Sequence, residues 1–188
     1  MPVKLNSSGG GSVTLTTPST ASDFTATFPA ATGNVVTTGS SAVVTQAMLG
    51  TNVAGNGPAF GAYQNLATSL TAATNVKVLF QVEEFDTNSN FSSSRFTPTV
   101  AGYYQLNAAL QIDGNQAFSM ALFKNGSLFK YGNYVGAATN FGICVVSSII
   151  YLNGSTDYVE IYGAAAGTVN SLASQAGTYF NGALVRAA

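Results

Sequence analysis

No histidine occurs anywhere in the 188 residues, and cysteine occurs once, at Cys144. Without histidine, the Ser-His-Asp and Cys-His arrangements that activate a nucleophile are excluded, as are histidine-bearing zinc sites. One thiol makes neither an intrachain disulfide nor a thiolate cluster. In the apolar run 141–152, Cys144 reads as a small buried hydrophobe. Charge is scarce as well: 6 Lys plus Arg and 7 Asp plus Glu make 7% of the chain, for a net −1, against about a quarter in an ordinary soluble domain. Six thinly spread cations form no basic patch, so no nucleic-acid partner is expected. No run reaches the ~18 apolar residues that cross a bilayer, so no membrane insertion is expected either. Met1-Pro2-Val3-Lys4 leads into Asn, Ser and Gly rather than the apolar stretch of a secretory signal. The protein is therefore expected to stay where it is made or to leave as part of a particle.

What is present changes character near Pro58. Residues 1–57 are mostly Thr, Ser, Gly, Ala and Val and hold two charges, Lys4 and Asp23. Gly9-Gly10-Gly11 lacks the Lys-Ser/Thr of a phosphate loop and reads as a flexible leader. Alternating pieces at Ser12–Thr17, Asp23–Phe28 and Asn34–Thr37, punctuated by Pro18, Pro29 and Gly33, predict short strands. Strands this short bury too little to stand alone, so the stem is either a disordered Thr/Ser-rich leader or one ordered by partner chains, and Phe24 and Phe28 on one face favour the second. Val43, Val44, Ala47, Met48 and Leu49 suggest one helical turn before the Gly55-Asn56-Gly57-Pro58 break.

From Pro58 onward the pattern predicts an all-β domain over 58–188. Strands are expected at Ala59–Gln64, Asn75–Val82, Gly102–Ile112, Ala117–Lys124, Phe141–Leu152, Asp157–Ala164 and Thr178–Arg186, with shorter pieces near Phe96 and Leu128. Tyr104, Leu106, Ala108, Leu110 and Ile112 fall on one face of their strand; Val76, Val78, Phe80 and Val82 do the same. Asp113-Gly114, Asn125-Gly126 and Asn153-Gly154 supply positive φ for tight hairpins. Eight to ten strands without a helix indicate a sandwich or jelly roll.

Particular residues then carry a family resemblance. Phe85-Asp86, Phe96-Thr97 and Gly102-x-Tyr104 follow one another, then Leu122-x-Lys124-Asn125-Gly126, Asp157-x-Val159-x-Ile161 and Phe180-x-Gly182-x-Leu184. This order resembles the C1q-like pattern across residues 58–186, with Ala101 where a proline usually precedes the glycine. The resemblance implies a C1q/TNF-like jelly-roll β-sandwich of ten strands and a homotrimer. The run Thr45–Gly55 is similar to leader segments of bacteriophage fibre and appendage proteins. Together these imply a structural virion protein, a trimeric fibre, head-decoration or tail-appendage. Residues 1–57 would attach to other virion proteins and residues 58–188 would face outward as a C1q-like knob. A free C1q-like lectin or adhesion module is the alternative. Neither reading is an enzyme, and neither calls for a cofactor.

Candidate site residues follow from the pattern. Tyr103, Tyr104, Tyr158 and Phe180 sit at period-two positions, as core or trimer-interface residues do. Tyr131, Asn133, Tyr134 and Asn140 are expected in a loop between strands, free to stack on sugar faces and bond hydroxyls. A second loop is expected at Gly163–Gly177, with Asn170 and Gln175. With so little charge, a neutral host-surface polysaccharide suits this set. Asp86-x-Asn88-x-Asn90 matches the first half of a calcium loop, but Phe91 replaces the required glycine and Thr97 the closing glutamate. A polar turn between strands is the expectation there. Glu83 and Glu84 are adjacent on a strand and point to opposite faces, so they cannot act as a catalytic pair.

Overall fold

The computed structural model describes residues 3–6, 8–10, 12–15, 55–137 and 142–188. The chain divides into two units, Met1–Ser40 and Ser41–Ala188. In the first, β1 (Val3–Asn6) and β2 (Ser12–Leu15) pair antiparallel, with Val3 opposite Leu15 and Asn6 opposite Ser12. Gly9-Gly10, expected as a flexible leader, lies instead in the turn of this hairpin, with Gly10 at φ +85°. The pieces expected at Asp23–Phe28 and Asn34–Thr37, and the helical turn expected near Val43–Leu49, lie outside the described residues.

The second unit is an all-β jelly roll without a helix among the described residues. One sheet contains β3 (Ala59–Tyr63), β4 (Ser69–Leu70), β6 (Val82–Asp86), β9 (Gly102–Asp113), β12 (Ile143–Leu152), β14 (Val169–Ser171) and β15 (Tyr179–Ala187). The other contains β5 (Val76–Lys77), β7 (Phe91–Ser92), β8 (Arg95–Phe96), β10 (Phe118–Lys124), β11 (Ser127–Val135) and β13 (Val159–Ala165). Strand β9 pairs with β12 from Gly102–Leu152 to Gln111–Ile143, and with β15 from Gly102–Ala187 to Ala109–Tyr179. In the facing sheet, β13 lies between β10 and the short strands β5 and β8.

The alternation expected on β9 is met: Tyr104, Leu106, Ala108, Leu110 and Ile112 are all buried. Leu122, Val159 and Ile161 belong to the same buried core from the opposite sheet. An aromatic cluster ties the layers together. Phe60 of β3 stacks on Phe96 of β8 at 4.4 Å between centroids and on Phe91 of β7 at 4.9 Å, and meets Phe180 of β15 edge-on at 4.8 Å. Such pairs add about 0.5–1.5 kcal/mol each beyond area burial. Tyr104 is fully buried, its hydroxyl donates to the Val100 carbonyl at 2.7 Å, and burial pushes its pKa up to about 12. Cys144 is buried too, its S–H donating to the Asn133 carbonyl at 3.1 Å.

Three sequence expectations need correction. The strand expected at Asn75–Val82 is broken: β5 ends at Lys77, the Val78 N–H still donates to the Ile161 carbonyl of β13 at 2.9 Å, and β6 begins only at Val82. Val78 and Phe80 are nevertheless core residues, so the alternation reports burial and not strand pairing. Of the three hairpin dipeptides, Asn125-Gly126 alone joins neighbouring strands of one sheet. Its φ values of 52° and 75° make a two-residue turn, with Lys124 opposite Ser127. Asp113-Gly114 and Asn153-Gly154 begin crossings between the sheets, and the Asn153 side chain accepts the N–H groups of Ser155, Thr156 and Asp157 to turn the chain. Finally, β11 is a nine-residue strand rather than a short piece near Leu128.

The ion pairs among the described residues lie on the outer side of the second sheet. Glu160, almost wholly buried, accepts from Lys77 Nζ at 2.7 Å and Arg95 Nε at 2.8 Å. Tyr162 donates its hydroxyl to the other carboxylate oxygen at 3.3 Å. Asp157 accepts from Asn125 at 2.7 Å and Lys124 at 2.9 Å. Burial pushes the Glu160 carboxyl up, but hydrogen bonds from Lys77 and Arg95 outweigh it and leave the group below its usual range. Asn125 and then Lys124 hold Asp157 low in the same sense. A carboxyl whose folded pKa is depressed contributes stability that is present above its unfolded value and lost as pH falls through the folded one. The thermal midpoint should therefore stay level from pH 7 to about 5 and fall below about pH 4. Glu160→Ala should cost about 1.5 kcal/mol at neutral pH, since it removes charge-assisted hydrogen bonds but leaves Lys77 and Arg95 partly exposed to water, and make the acid limb shallower in calorimetry across that range. An unchanged limb would show that Glu160 does not set it.

Candidate functional site

The outward side of the β12–β9–β15–β3 sheet is unusually apolar for a face turned away from the core. Strand β12 presents Ile143, Val145, Ser147, Ile149 and Tyr151 outward while Cys144, Val146, Ile150 and Leu152 are buried. Register places these residues in cross-strand rows. Tyr151 faces Tyr103, their rings 5.5 Å apart; Ile149 faces Gln105, then Ala183 and Ala59. Ser147 faces Asn107, then Asn181 and Gly61; Val145 faces Ala109, then Tyr179 and Tyr63. Phe85 of β6, half exposed, lies over Gly61, where an added Cβ would strike its ring.

A polar row crosses the middle of this face and is internally bonded. Gln105 Nε2 donates to Ser147 Oγ at 2.8 Å and to Asn107 Oδ1 at 3.1 Å. Ser147 donates to Asn107 Oδ1 at 2.9 Å, and Asn107 Nδ2 donates to Asn181 Oδ1 at 3.2 Å. Apolar rows flank it on both sides. Exposed patches of this kind mark surfaces that are covered by a partner, and a bonded polar row within such a patch allows only certain alignments of what covers it. Among the described residues of this face no nucleophile stands beside a base.

The aromatic residues named from the pattern do not converge. Tyr104 and Phe180 are fully buried in the core. Tyr103, 45% exposed, lies on the apolar face. Tyr158 belongs to the other sheet's side, where the Arg95 guanidinium lies over its ring at 3.8 Å.

Tyr131, Asn133 and Tyr134 lie in strand β11 and not in a loop. Gly132 lets the strand continue past the Val145 carbonyl, which a Cβ at that position would strike. Asn133 Oδ1 accepts the Val145 N–H at 2.6 Å, so this side chain fastens β11 to β12 instead of facing a ligand. Tyr131 pairs with Ala121 and Tyr134 with Ser119, positions that alternate with the buried Met120 and Leu122. Both rings are therefore on the outer face, 71% and 70% exposed. Asn140 lies outside the described residues.

The loop expected at Gly163–Gly177 contains β14, with Asn170 opposite Asp113, and Gln175 donates to Glu84 at 2.6 Å. Asp86 accepts the Asn88 and Phe91 N–H groups, at 3.3 and 2.7 Å, and Asn90 Oδ1 accepts that of Thr99 at 3.2 Å. The oxygen-rich segment thus builds the β6–β7 turn. A broad apolar subunit contact is expected of a chain with so little charge, but composition does not name its residues, although Ile143, Val145, Ile149 and Tyr151 fill four of the five outward positions of a strand whose inward positions are as apolar. That double apolar pattern is the signal of a strand covered on both sides.

Comparison with known proteins agrees with the fold. No protein-family model matches the chain, and no curated protein matches it in sequence. Among solved structures it is similar to the globular domain of zebrafish complement 1qA, at 17% identity and TM-score 0.51, over 70% of this chain and 99% of that one. It is similar to murine APRIL at 12% identity and TM-score 0.55, covering 68% and 98%. Eiger TNF from S. frugiperda aligns at 10% identity and TM-score 0.53, covering 69% and 93%. At these identities the likeness establishes the C1q/TNF-like jelly roll.

If the apolar face is an association surface, a charge at its centre should separate subunits without unfolding them. Ile149, 55% exposed, is the test position. Ile149→Arg should leave the circular dichroism spectrum unchanged and lower the sedimentation coefficient to that of a single chain. A variant that sediments like the parent would remove this face from consideration.

Proposed function

We propose that the protein is a non-enzymatic, trimeric recognition module carried on a particle, of the bacteriophage fibre, head-decoration or tail-appendage kind. Residues 1–57 mount it on other virion proteins, and residues 58–188 form the outward knob. The observation that carries this reading is the apolar face of β12, β9 and β15 in a chain with only 7% charged residues. Little like-charge repulsion opposes the approach of a second copy, and covering Ile143, Val145, Ile149 and Tyr151 removes a contiguous apolar area from water. The C1q-like resemblance supplies the number of copies, three. The charge-poor N-terminal part, with its paired β1–β2, supports the mount, since short strands gain most from packing against other chains.

Recognition is assigned to the outer side of the second sheet, where Tyr131 and Tyr134 stand free of the core. Tyrosine rings stack on sugar faces at small entropic cost, and a neutral host-surface polysaccharide suits them. The same two residues would serve a free C1q-like lectin or adhesion module, so the two readings part on where the protein is found. Particles from the producing culture, banded in a density gradient and washed in high salt, should retain the full-length chain by immunoblot. Recovery only from the particle-free fractions would overturn the virion assignment and leave the free module. Tyr131→Ala with Tyr134→Ala should change stability by less than about 1 kcal/mol and reduce binding to host cells; undiminished binding would clear both residues of that role.

A further inference from the structure

Beside the short strands β7 and β8 lies a polar hollow of about 410 Å³, whose lining includes Lys77, Arg95, Ser89, Ser92, Ser93 and Thr97. In a chain with 6 cations, two of them in one hollow is a marked concentration. Glu160 is the carboxylate that both contact, so the cluster keeps about one positive charge. Asp86, on the strand leading to this corner, has both carboxylate oxygens engaged by N–H groups of the β6–β7 turn.

Both cations are held in place. Lys77 Nζ donates to the Ser93 carbonyl at 2.8 Å as well as to Glu160. Ser93 and Ser94 form the β7–β8 turn in the left-handed region, at φ 52° and 57°, a conformation that costs non-glycine residues about 1–2 kcal/mol each. Ser94 is fixed there by its hydroxyl, which accepts the Phe80 N–H at 2.8 Å. The Arg95 guanidinium lies over the Tyr158 ring, 3.8 Å from its centroid, and reaches Glu160 through Nε. Its two terminal nitrogens have no hydrogen-bond partner among the described residues, and the side chain is 44% exposed. A guanidinium already stacked and anchored loses little freedom on binding, and its planar pair of N–H donors matches a carboxylate.

We propose that this hollow binds the carboxylate of an acidic sugar, of the uronic acid class. Arg95 takes the carboxylate through its terminal N–H pair, with the third N–H of Lys77 at hand, while the hydroxyls of Ser92, Ser93 and Thr97 take the ring hydroxyls. A neutral sugar leaves the Arg95 fork without an acceptor, and a simple oxyanion leaves the hydroxyl wall unused. The assignment rests on neither the trimer nor the particle reading, and it concerns the β7–β8 end of the second sheet, across β10 and β13 from Tyr131 and Tyr134 on β11.

The test is saturation-transfer difference NMR on the full chain at constant ionic strength, with sodium D-glucuronate, D-glucose and inorganic phosphate as probes. Glucuronate should bind at least about tenfold more tightly than glucose, the factor a charge-assisted hydrogen bond carries. Two variants locate the site. Ser92→Asp places a negative charge across the β7–β8 ladder from Arg95, where it competes for the guanidinium's terminal N–H pair while Glu160 keeps Nε, and Arg95→Lys keeps the cation but loses the fork. Each should weaken glucuronate about tenfold or more while the protein's own spectrum stays folded. Equal binding of glucose, no binding of glucuronate, or parental affinity in the folded Ser92→Asp variant would overturn the assignment. Phosphate displacing glucuronate at equal concentration would also overturn it, because the hollow would then read the oxyanion alone.

Discussion

The pairing of β9 with β12 along its length is the contact on which the rest of the larger unit depends. Its inward side chains, Tyr104 to Ile112 on β9 and Cys144 to Leu152 on β12, form the centre of the core. Because side chains alternate, the same ladder fixes what stands outward: Tyr103, Gln105, Asn107 and Ala109 against Tyr151, Ile149, Ser147 and Val145. A slip of one residue would exchange the two sets. The outward set differs from the inward one in Gln105, Asn107 and Ser147, which a slip would drive into the core, and these polar groups specify the register. The bonded row of Gln105, Asn107, Ser147 and Asn181 strengthens that specification, since a slipped ladder would strand its polar groups against apolar neighbours.

The ion pairs and the exposed apolar rows lie on different sheets, while Glu83, Glu84 and Asp86 stand on β6 at the edge of the apolar one. The ion pairs centred on Glu160 and Asp157 lie with β5, β8, β10 and β13. The β9–β12–β15 side carries apolar groups and neutral amides, with Arg186 at its margin opposite Tyr103. One side is thereby suited to water and polar ligands and the other to contact with protein. Stability without disulfides comes from the aromatic contacts of Phe60, Phe91, Phe96 and Phe180 across the layers and from satisfied buried polar groups such as Gln64, which bonds Thr68, Leu79 and Ser171.

Period-two alternation makes the long strands and their inward faces legible, as on β9. It reports which side chains are buried and says nothing of which backbone groups pair, so 75–82 reads as one strand although, past Val78, the N–H groups of Leu79 and Phe80 bond the Thr68 and Ser94 hydroxyls instead. Turn dipeptides are read with the same limit. Asn125-Gly126 and Asn153-Gly154 are chemically alike, yet one closes a hairpin and the other starts a sheet crossing, because the partner of the next strand lies far along the chain. Strand β11 escapes the pattern because, as an edge with bulges at two points, it is exposed along most of its length. Gly132 and Asn133 resemble loop chemistry until the Val145 backbone is in place beside them. The Arg95 hollow was illegible for a related reason: Lys77, Arg95 and Glu160 meet only in the folded chain.

The central claim is that the apolar β12–β9–β15 face is covered by two further copies of the same chain. Native mass spectrometry of the full-length protein at micromolar concentration tests it most directly. The account predicts a single species of three times 19.2 kDa; a uniform monomer at 19.2 kDa would contradict it.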